Sequence, residues 1–401
     1  MTVFVVAAVF ASGYLFGLNK ITLSLINKQI KIERALPQTK KDLNFSLFWQ
    51  VWDTLESKYF DKTKIDYQKM IYGAISGMVA SIGDPYTVFL PPSGNKVIQE
   101  DLNGSFEGVG IQIGFKGSQL AVVAPLKDSP AEEAGIKAGD FIIHIKDEKK
   151  NLDIGTGGIS LPDAVAAIRG PAGSKVTLTL IRGEEEKPIV VEVARTKLTV
   201  PSLTLEYPSA GSGQIAYIRL LKFGGETAKE WEEVVAQILK NPKVKGIVID
   251  VRNNPGGYLQ AAVDLASDFV KKGEVIVIEQ QASGVKENFT AEKIARLTQI
   301  PVVVIINQGS ASASEILAGA LRDQKRAKLV GETTFGKGTI QEPIQIEGGS
   351  GLHITTARWL TPAGTWVNDK GLEPDVKIED DPKTEEDEQL QKAIEILNPK
   401  P

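Results

Sequence analysis

Residues 244–270 read VKGIVIDVRNNPGGYLQAAVDLASDFV. The opening run VKGIVIDV is almost wholly apolar, the pattern of a strand buried on both faces of a sheet. The paired glycines Gly256 and Gly257 turn the chain, and YLQAAVDLASDFV follows as a helix. The same grammar returns at IPVVVIIN (300–307), a second buried strand, which reaches the helix SASEILAGALRDQ (312–324) through its own loop. KLVGE, IQEPIQI and GLHITTARWL read as further strands. Residues 198–380 are therefore expected to form an α/β domain.

Working outward, residues 96–197 change rhythm. Short β-rich runs (GVGIQIGF, LAVVAP, DFIIHIKD, KVTLTLIRG, PIVVEVAR) alternate with Gly/Pro turns and two short helical stretches, SPAEEAGI and LPDAVAAIR. A small β-barrel capped by helices fits this pattern. Residues 43–95 carry helical spacing, with Phe48, Val51, Trp52 and Leu55 at i, i+3, i+4, i+7. A second helix is expected near 66–82, and GDPYTVFLPP closes the region as a turn with two prolines. Residues 20–42 are polar and mixed in charge and read as a tether. Residues 376–389 are acidic and expected to be solvated, and a helical tail is expected at 381–401.

Residues 1–19, MTVFVVAAVFASGYLFGLN, carry no charge. At 1.5 Å per residue, about 18 of them span roughly 27 Å, close to a bilayer core. The expectation is a transmembrane anchor or an export signal, with small residues at Ala11–Gly13 leaving cleavage open. The basic residues Lys20, Lys28, Lys31 and Arg34 follow the segment. By the positive-inside rule they would keep the body in the cytoplasm. A start further upstream, or a weak signal overridden by a large translocated domain, would resolve the conflict.

The 401 residues predict more than one domain. A net charge of −4 gives no basic field for nucleic acid. Cysteine is absent, which removes disulfides, thiolate metal sites and cysteine nucleophiles. The two histidines, His144 and His353, both sit in strand-like alternation. A Ser-His-Asp triad is disfavoured on that ground.

GETTFGKGTIQ (331–341) matches seven of the eight places of the phosphate loop G-x-x-x-x-G-K-[ST]. Such a loop needs a helix after it, to hold the anion. Here GTIQEPIQI contains a proline and alternates like a strand, and Gly338 replaces the hydroxyl residue. The other use of Lys337 is as a general base. Burial disfavours an ammonium, and a drop of about three pKa units costs roughly 4 kcal/mol. A base needs a nucleophile, and NQGSASASEI (307–316) offers Ser310, Ser312 and Ser314 between a buried strand and a helix. Free N–H groups at that helix start, and at Gly256 and Gly257, could bind a developing oxyanion. Taken alone, the serine loop also reads as an ordinary helix start, with Ser310 or Ser312 as the cap and Glu315 at the positive end, and the glycine loop as a tight turn.

Together DVRNNPGG, GSASASE and GETTFGKGTIQ resemble the carboxyl-terminal processing peptidases, over roughly residues 43–395. The resemblance implies an α/β multidomain chain. Its peptidase core would be of the Clp-protease/crotonase type, with an inserted PDZ domain (96–197) and an N-terminal helical region (43–95). By position, Ser312 would be the nucleophile, Lys337 the base and Gln341 the residue that orients the lysine. Ala313, with Gly256 or Gly257, would form the oxyanion hole. In the PDZ domain, Gly108, Val109, Gly110 and Ile111 would cradle a terminal carboxylate, and Arg169 is the candidate for coupling it to the active site. No metal or organic cofactor is implied. The implied partners are protein or peptide substrates with free C-termini and, through the N-terminal segment, a membrane. The N- and C-terminal helical parts could build a homodimer. The catalytic body is expected in the cell envelope, outside the cytoplasm. The alternative is a catalytically silent or closed PDZ scaffold.

Overall fold

The computed structural model describes residues 21–26, 29–34, 44–126, 128–159, 161–183, 187–211, 213–379, 384 and 386–398, with the backbone alone before residue 44. The proposed membrane segment at 1–19 lies outside the described residues. Among the described residues no helix is long and apolar enough to cross a membrane. The chain divides into two compact units, Met1–Gly73 and Ala74–Pro401.

In the first unit the segment read as a tether holds an antiparallel strand pair, Ile21–Ile26 with Gln29–Arg34. ITLSLI and QIKIER do alternate apolar and polar residues, the period of a strand, in runs too short to stand out. The helix Ser46–Lys58 forms where the spacing places it, but none of its residues is buried. Phe48, Trp49, Trp52 and Tyr67 pack against one another instead.

The second unit is built on a twisted sheet. Gly213–Leu220, Val244–Asp250, Val302–Ile306, Ala327–Gly331 and Val376–Lys377 lie parallel in that order, and Leu203–Glu206 adds an antiparallel edge. Strand side chains alternate between faces. Ile247 and Ile249 join a core with Trp231, Phe269 and Leu317. Val248, Val303 and Ile305 join a second core on the other face, with Ala393, Leu390 and Ile394. Both faces are thus covered, which explains why the strands read as continuous apolar runs. In the tail expected to be helical, helix Glu388–Leu397 forms one wall of that second core.

A second, antiparallel sheet orders Lys286–Thr290, Val275–Gln281, Gly351–Leu360 and Thr339–Gln345, with Val88–Leu90 paired to Gly351–Leu360. Helix Pro92–Leu102 runs across the boundary expected at 95/96. Proline at the first helical position costs no hydrogen bond, so the prolines there start a helix rather than ending one.

The inserted module is an antiparallel sheet from Ile111–Lys116 to Ile189–Ala194, flanked by helices Pro130–Glu133 and Leu161–Ile168. Its ends are tied together by pairing of Ser105–Gly108 with Thr196–Thr199. Leu120, Ile142, Ile145, Leu178 and Leu180 fill its separate core.

Arg252, in the DVRNNPGG stretch, clamps the last helix to the parallel sheet. Its guanidinium donates to Asp250 at 2.7 Å, to Asp387 at 2.6 Å and to Gln389 at 3.1 Å. Asp250 is only 1% exposed, so losing Arg252 strands a buried carboxylate. Arg252→Ala should cost about 3–5 kcal/mol. The expected readout is a lower urea midpoint, and an unchanged midpoint would show that the clamp is dispensable.

Candidate active site

Val244–Asp250, Val302–Ile306 and Ala327–Gly331 are sheet neighbours, and all three motif loops leave their C-terminal ends. In an open α/β sheet that edge is where reactive groups collect. Hydrogen bonds stitch the first two loops together. Asn253 and Asn307 exchange bonds of 2.9 and 3.0 Å. Ala311 N–H donates to Asn254 O at 3.0 Å.

This stitching separates the three serines. Ser310 Oγ donates to Val251 O at 2.8 Å and Ser314 Oγ donates to Asn254 O at 3.0 Å. Both residues are fully buried. Ser312 lies between them, half-buried; its Oγ faces the Glu315 N–H in a capping box and donates no hydrogen bond among the described residues. Its backbone is left-handed, φ 54° and ψ −115°, at the start of helix Ala313–Asp323. A non-glycine residue held there is strained, and such strain recurs at functional turns. Gly256 crosses close by. A Cβ on it would lie 2.7 Å from Ala311 O and 2.8 Å from Ser312 Cβ, so only glycine permits this approach.

Ser312 and Lys337 line one cleft of about 360 Å³, with Gly256, Gly257, Tyr258, Gln341 and His353. Glu315 ties their backbones together. Its fully buried carboxylate accepts from Ser312 N at 2.8 Å, Gly336 N at 2.8 Å, Lys337 N at 2.9 Å and Thr334 Oγ1 at 2.6 Å. Burial pushes that carboxyl up in pKa, and the four donors offset only part of the rise. Trp359 Nε1 donates to Lys337 O at 2.9 Å and fixes the other side of the lysine's peptide group. Burial also pulls the Lys337 amine below the usual lysine range, and the charges of Asp84 and Glu315 offset only part of this. Its Nζ lies 4.8 Å from the centre of the Tyr86 ring.

In the inserted module, Gly108, Val109, Gly110 and Ile111 line a groove of about 220 Å³ with Val165, Ile168 and Arg169. Strand Ile111–Lys116 is the sheet edge there, open to an added strand. Arg169 spans outward: it pairs with Glu100 at 3.1 Å and lies over the Phe106 ring at 4.6 Å.

The sequence profile described as peptidase family S41 matches residues 214–378, and that of a PDZ domain matches residues 122–182. A profile for the activating protease CtpB N-terminal domain matches residues 8–92. The carboxy-terminal processing protease CtpA of Bacillus subtilis is 37% identical, over 84% of this chain and 70% of its own. The carboxy-terminal processing protease CtpB of the same organism is 32% identical, over 92% and 74%. The solved photosystem II D1 C-terminal processing protease is 32% identical with a TM-score of 0.52, over 88% of this chain and 96% of its own. The chain belongs to peptidase family S41.

This S41 chain is a serine-type peptidase of the carboxy-terminal processing kind, with a PDZ domain. Its sequence left two glycines open as N–H donors. Gly256 N–H donates to Asn254 Oδ1 at 2.9 Å, whereas the N–H groups of Gly257 and Ala313 have no partner among the described residues. Gln341 was expected to orient the lysine. Its amide instead donates to Thr339 Oγ1 at 2.9 Å and Thr355 Oγ1 at 3.1 Å, beside a register shift in its strand pairing. His353 lies in a strand as expected, yet also faces the cleft. Sequence reasoning saw Glu315 only as a charge suited to a helix start, and missed Tyr86 and Asp84. The spacing of Glu315, three residues after Ser312, was its available signal.

Glu315→Gln removes the charge that holds both loops. Charge-assisted hydrogen bonds are worth about 1.5–3 kcal/mol each. The expectation is a fall in kcat/KM of about 10- to 100-fold in a folded protein, with faster hydrogen exchange at the Gly336 and Lys337 amides. Unchanged exchange there would show that Glu315 does not organise the site.

Proposed function

We propose that Ser312 is the nucleophile and Lys337 the general base of a serine endopeptidase that cuts exported or membrane proteins near their C-termini. Neutral Lys337 takes the Ser312 proton as Oγ attacks the scissile carbonyl. The N–H groups of Ala313 and Gly257 stabilise the tetrahedral oxyanion, a contribution of roughly 3 kcal/mol per donor. Lys337 then gives its proton to the leaving amine, and water releases the acyl-enzyme. Gln341 supports the lysine indirectly, through Thr355. The observation that carries this reading is the Ser312 hydroxyl, which donates to no group among the described residues, in the cleft that also holds the desolvated Lys337.

The PDZ groove takes the substrate's free C-terminus. Its carboxylate is bound by the loop Gly108–Gly110 and its chain adds to the Ile111–Lys116 edge. Arg169 couples that groove to the peptidase through Glu100, on the helix whose Ile98, Asp101 and Leu102 line the catalytic cleft. The uncharged residues 1–19 place the enzyme at a membrane or export it, with the catalytic body in the cell envelope. The exposed apolar residues of helix Ser46–Lys58 suit a homodimer contact.

A second reading, a closed peptide-binding scaffold, is favoured by one observation. No hydrogen bond joins Ser312 Oγ to Lys337 Nζ among the described residues, and the amine rests on Tyr86. Cleavage of a peptide with a free apolar C-terminus decides between them. Ser312→Ala and Lys337→Ala should each lower kcat/KM by about 10³-fold or more. Retained cleavage in both variants would remove the dyad, and no turnover by the intact chain would favour the scaffold. Amidating the peptide C-terminus should raise KM more than it lowers kcat.

The pH profile has a defined sign. Lys337 is inactive while charged, so kcat/KM should rise with pH through its pKa. Burial sets that rise below the ordinary lysine range.

A further inference from the structure

GDPYTVFLPP (83–92) reads in the sequence as a turn that ends a helix. The structure sets that turn beside the lysine. Asp84 Oδ1 accepts from Tyr86 N–H at 3.0 Å, and Asp84 Oδ2 accepts from Thr87 Oγ1 at 2.6 Å. Thr87 Oγ1 accepts in turn from Thr355 N–H at 3.1 Å. The next strand, Val88–Leu90, is zipped to Gly351–Leu360 with Val88 opposite His353. The turn is therefore held by the sheet, independently of Lys337.

Lys337 Nζ has no hydrogen-bond acceptor among the described residues, and the Tyr86 ring lies 4.8 Å away. An aromatic face attracts an ammonium and gains nothing comparable from a neutral amine. The Asp84 carboxylate discriminates in the same direction. Burial pushes its pKa up, but Thr355, Thr87, the Tyr86 N–H and the Lys337 charge together hold it below the usual range, so it is ionised near neutrality. Tyr86 itself is pushed up by burial and by Asp369, Asp84 and Glu315, and stays a neutral phenol.

The other titratable groups near the lysine are Glu315 and His353, with Asp101 and Lys222 lining the same cleft. Burial and the Lys337 charge both push His353 down, so it is neutral near pH 7 and adds no competing charge.

We propose that the Asp84–Thr87 turn is a holding site for protonated Lys337, and that Tyr86 and Asp84 set the pH at which the base becomes available. The inference rests on the Ser312–Lys337 reading above. The lysine loses its proton to solvent, loses its attraction to the Tyr86 face, and becomes free to accept the Ser312 proton. Tyr86 and Asp84 are positioning residues, acting through Lys337.

The test is kcat/KM against pH for the intact chain and for Tyr86→Phe, Tyr86→Leu and Asp84→Asn. Tyr86→Phe keeps the ring face, so its acid limb should coincide with that of the unsubstituted enzyme. Tyr86→Leu keeps apolar bulk but removes the face, and Asp84→Asn removes the charge. Both should move the acid limb to lower pH by about half to one unit. A limb that stays in place or moves up in folded Tyr86→Leu overturns the proposal.

A second measurement does not depend on activity. In Ser312→Ala, the pH midpoint of Lys337 acetylation by acetic anhydride, read by peptide mass, should fall equally on adding Tyr86→Leu. If Lys337→Ala still cleaves, the dyad reading fails. The acetylation midpoint then decides the holding site alone, with no shift overturning it.

Discussion

The buried Glu315 carboxylate is the interaction on which the rest of the site depends. An ionised carboxylate in a protein interior costs several kcal/mol unless it is satisfied. Glu315 is satisfied from two directions. Ser312 N–H reaches it from its own helix start, and Thr334, Gly336 and Lys337 reach it from the neighbouring loop. Satisfying the charge therefore requires both loops to be in place. The same bond helps to hold Ser312 in its left-handed conformation, which a lone helix cap would not impose.

That arrangement needs a scaffold bringing distant segments to one edge, and the parallel sheet supplies it. Three consecutive neighbours each end in a motif loop. The pattern behind this was legible in the sequence. VKGIVIDV and IPVVVIIN are apolar on both faces because Ile247 and Val248 enter different cores. The choice of Ser312 among three serines was legible only through resemblance. Its physical reason is tertiary: Ser310 and Ser314 spend their hydroxyls on Val251 and Asn254, two strands' worth of chain away.

Other parts left no readable trace. Glu315 looked like a favourable charge at a helix start, which it is, but its partners in Thr334–Lys337 depend on sheet order rather than on local spacing. Tyr86 meets Lys337 only because Val88–Leu90 pairs with Gly351–Leu360, a register that no short window encodes. Helix Pro92–Leu102 was hidden by its prolines, which mark a helix start and a chain turn equally well. The last helix was legible, but its packing against the parallel sheet was not. Asp387, part of the acidic stretch before it, is held by Arg252 and is not free in solvent.

One continuous segment, Asp84–Leu102, links features that would otherwise be separate. Its first turn touches the lysine, and its strand completes the second sheet. Glu100 on its helix holds Arg169 at the rim of the PDZ groove, and Leu102 O accepts from Gly225 N–H beside the cleft. The segment is short, a strand followed at once by a helix. The Arg169–Glu100 ion pair is largely buried, its two side chains 23% and 18% exposed. Its importance is positional: it is a direct side-chain contact between the groove of the inserted module and the segment that reaches Lys337.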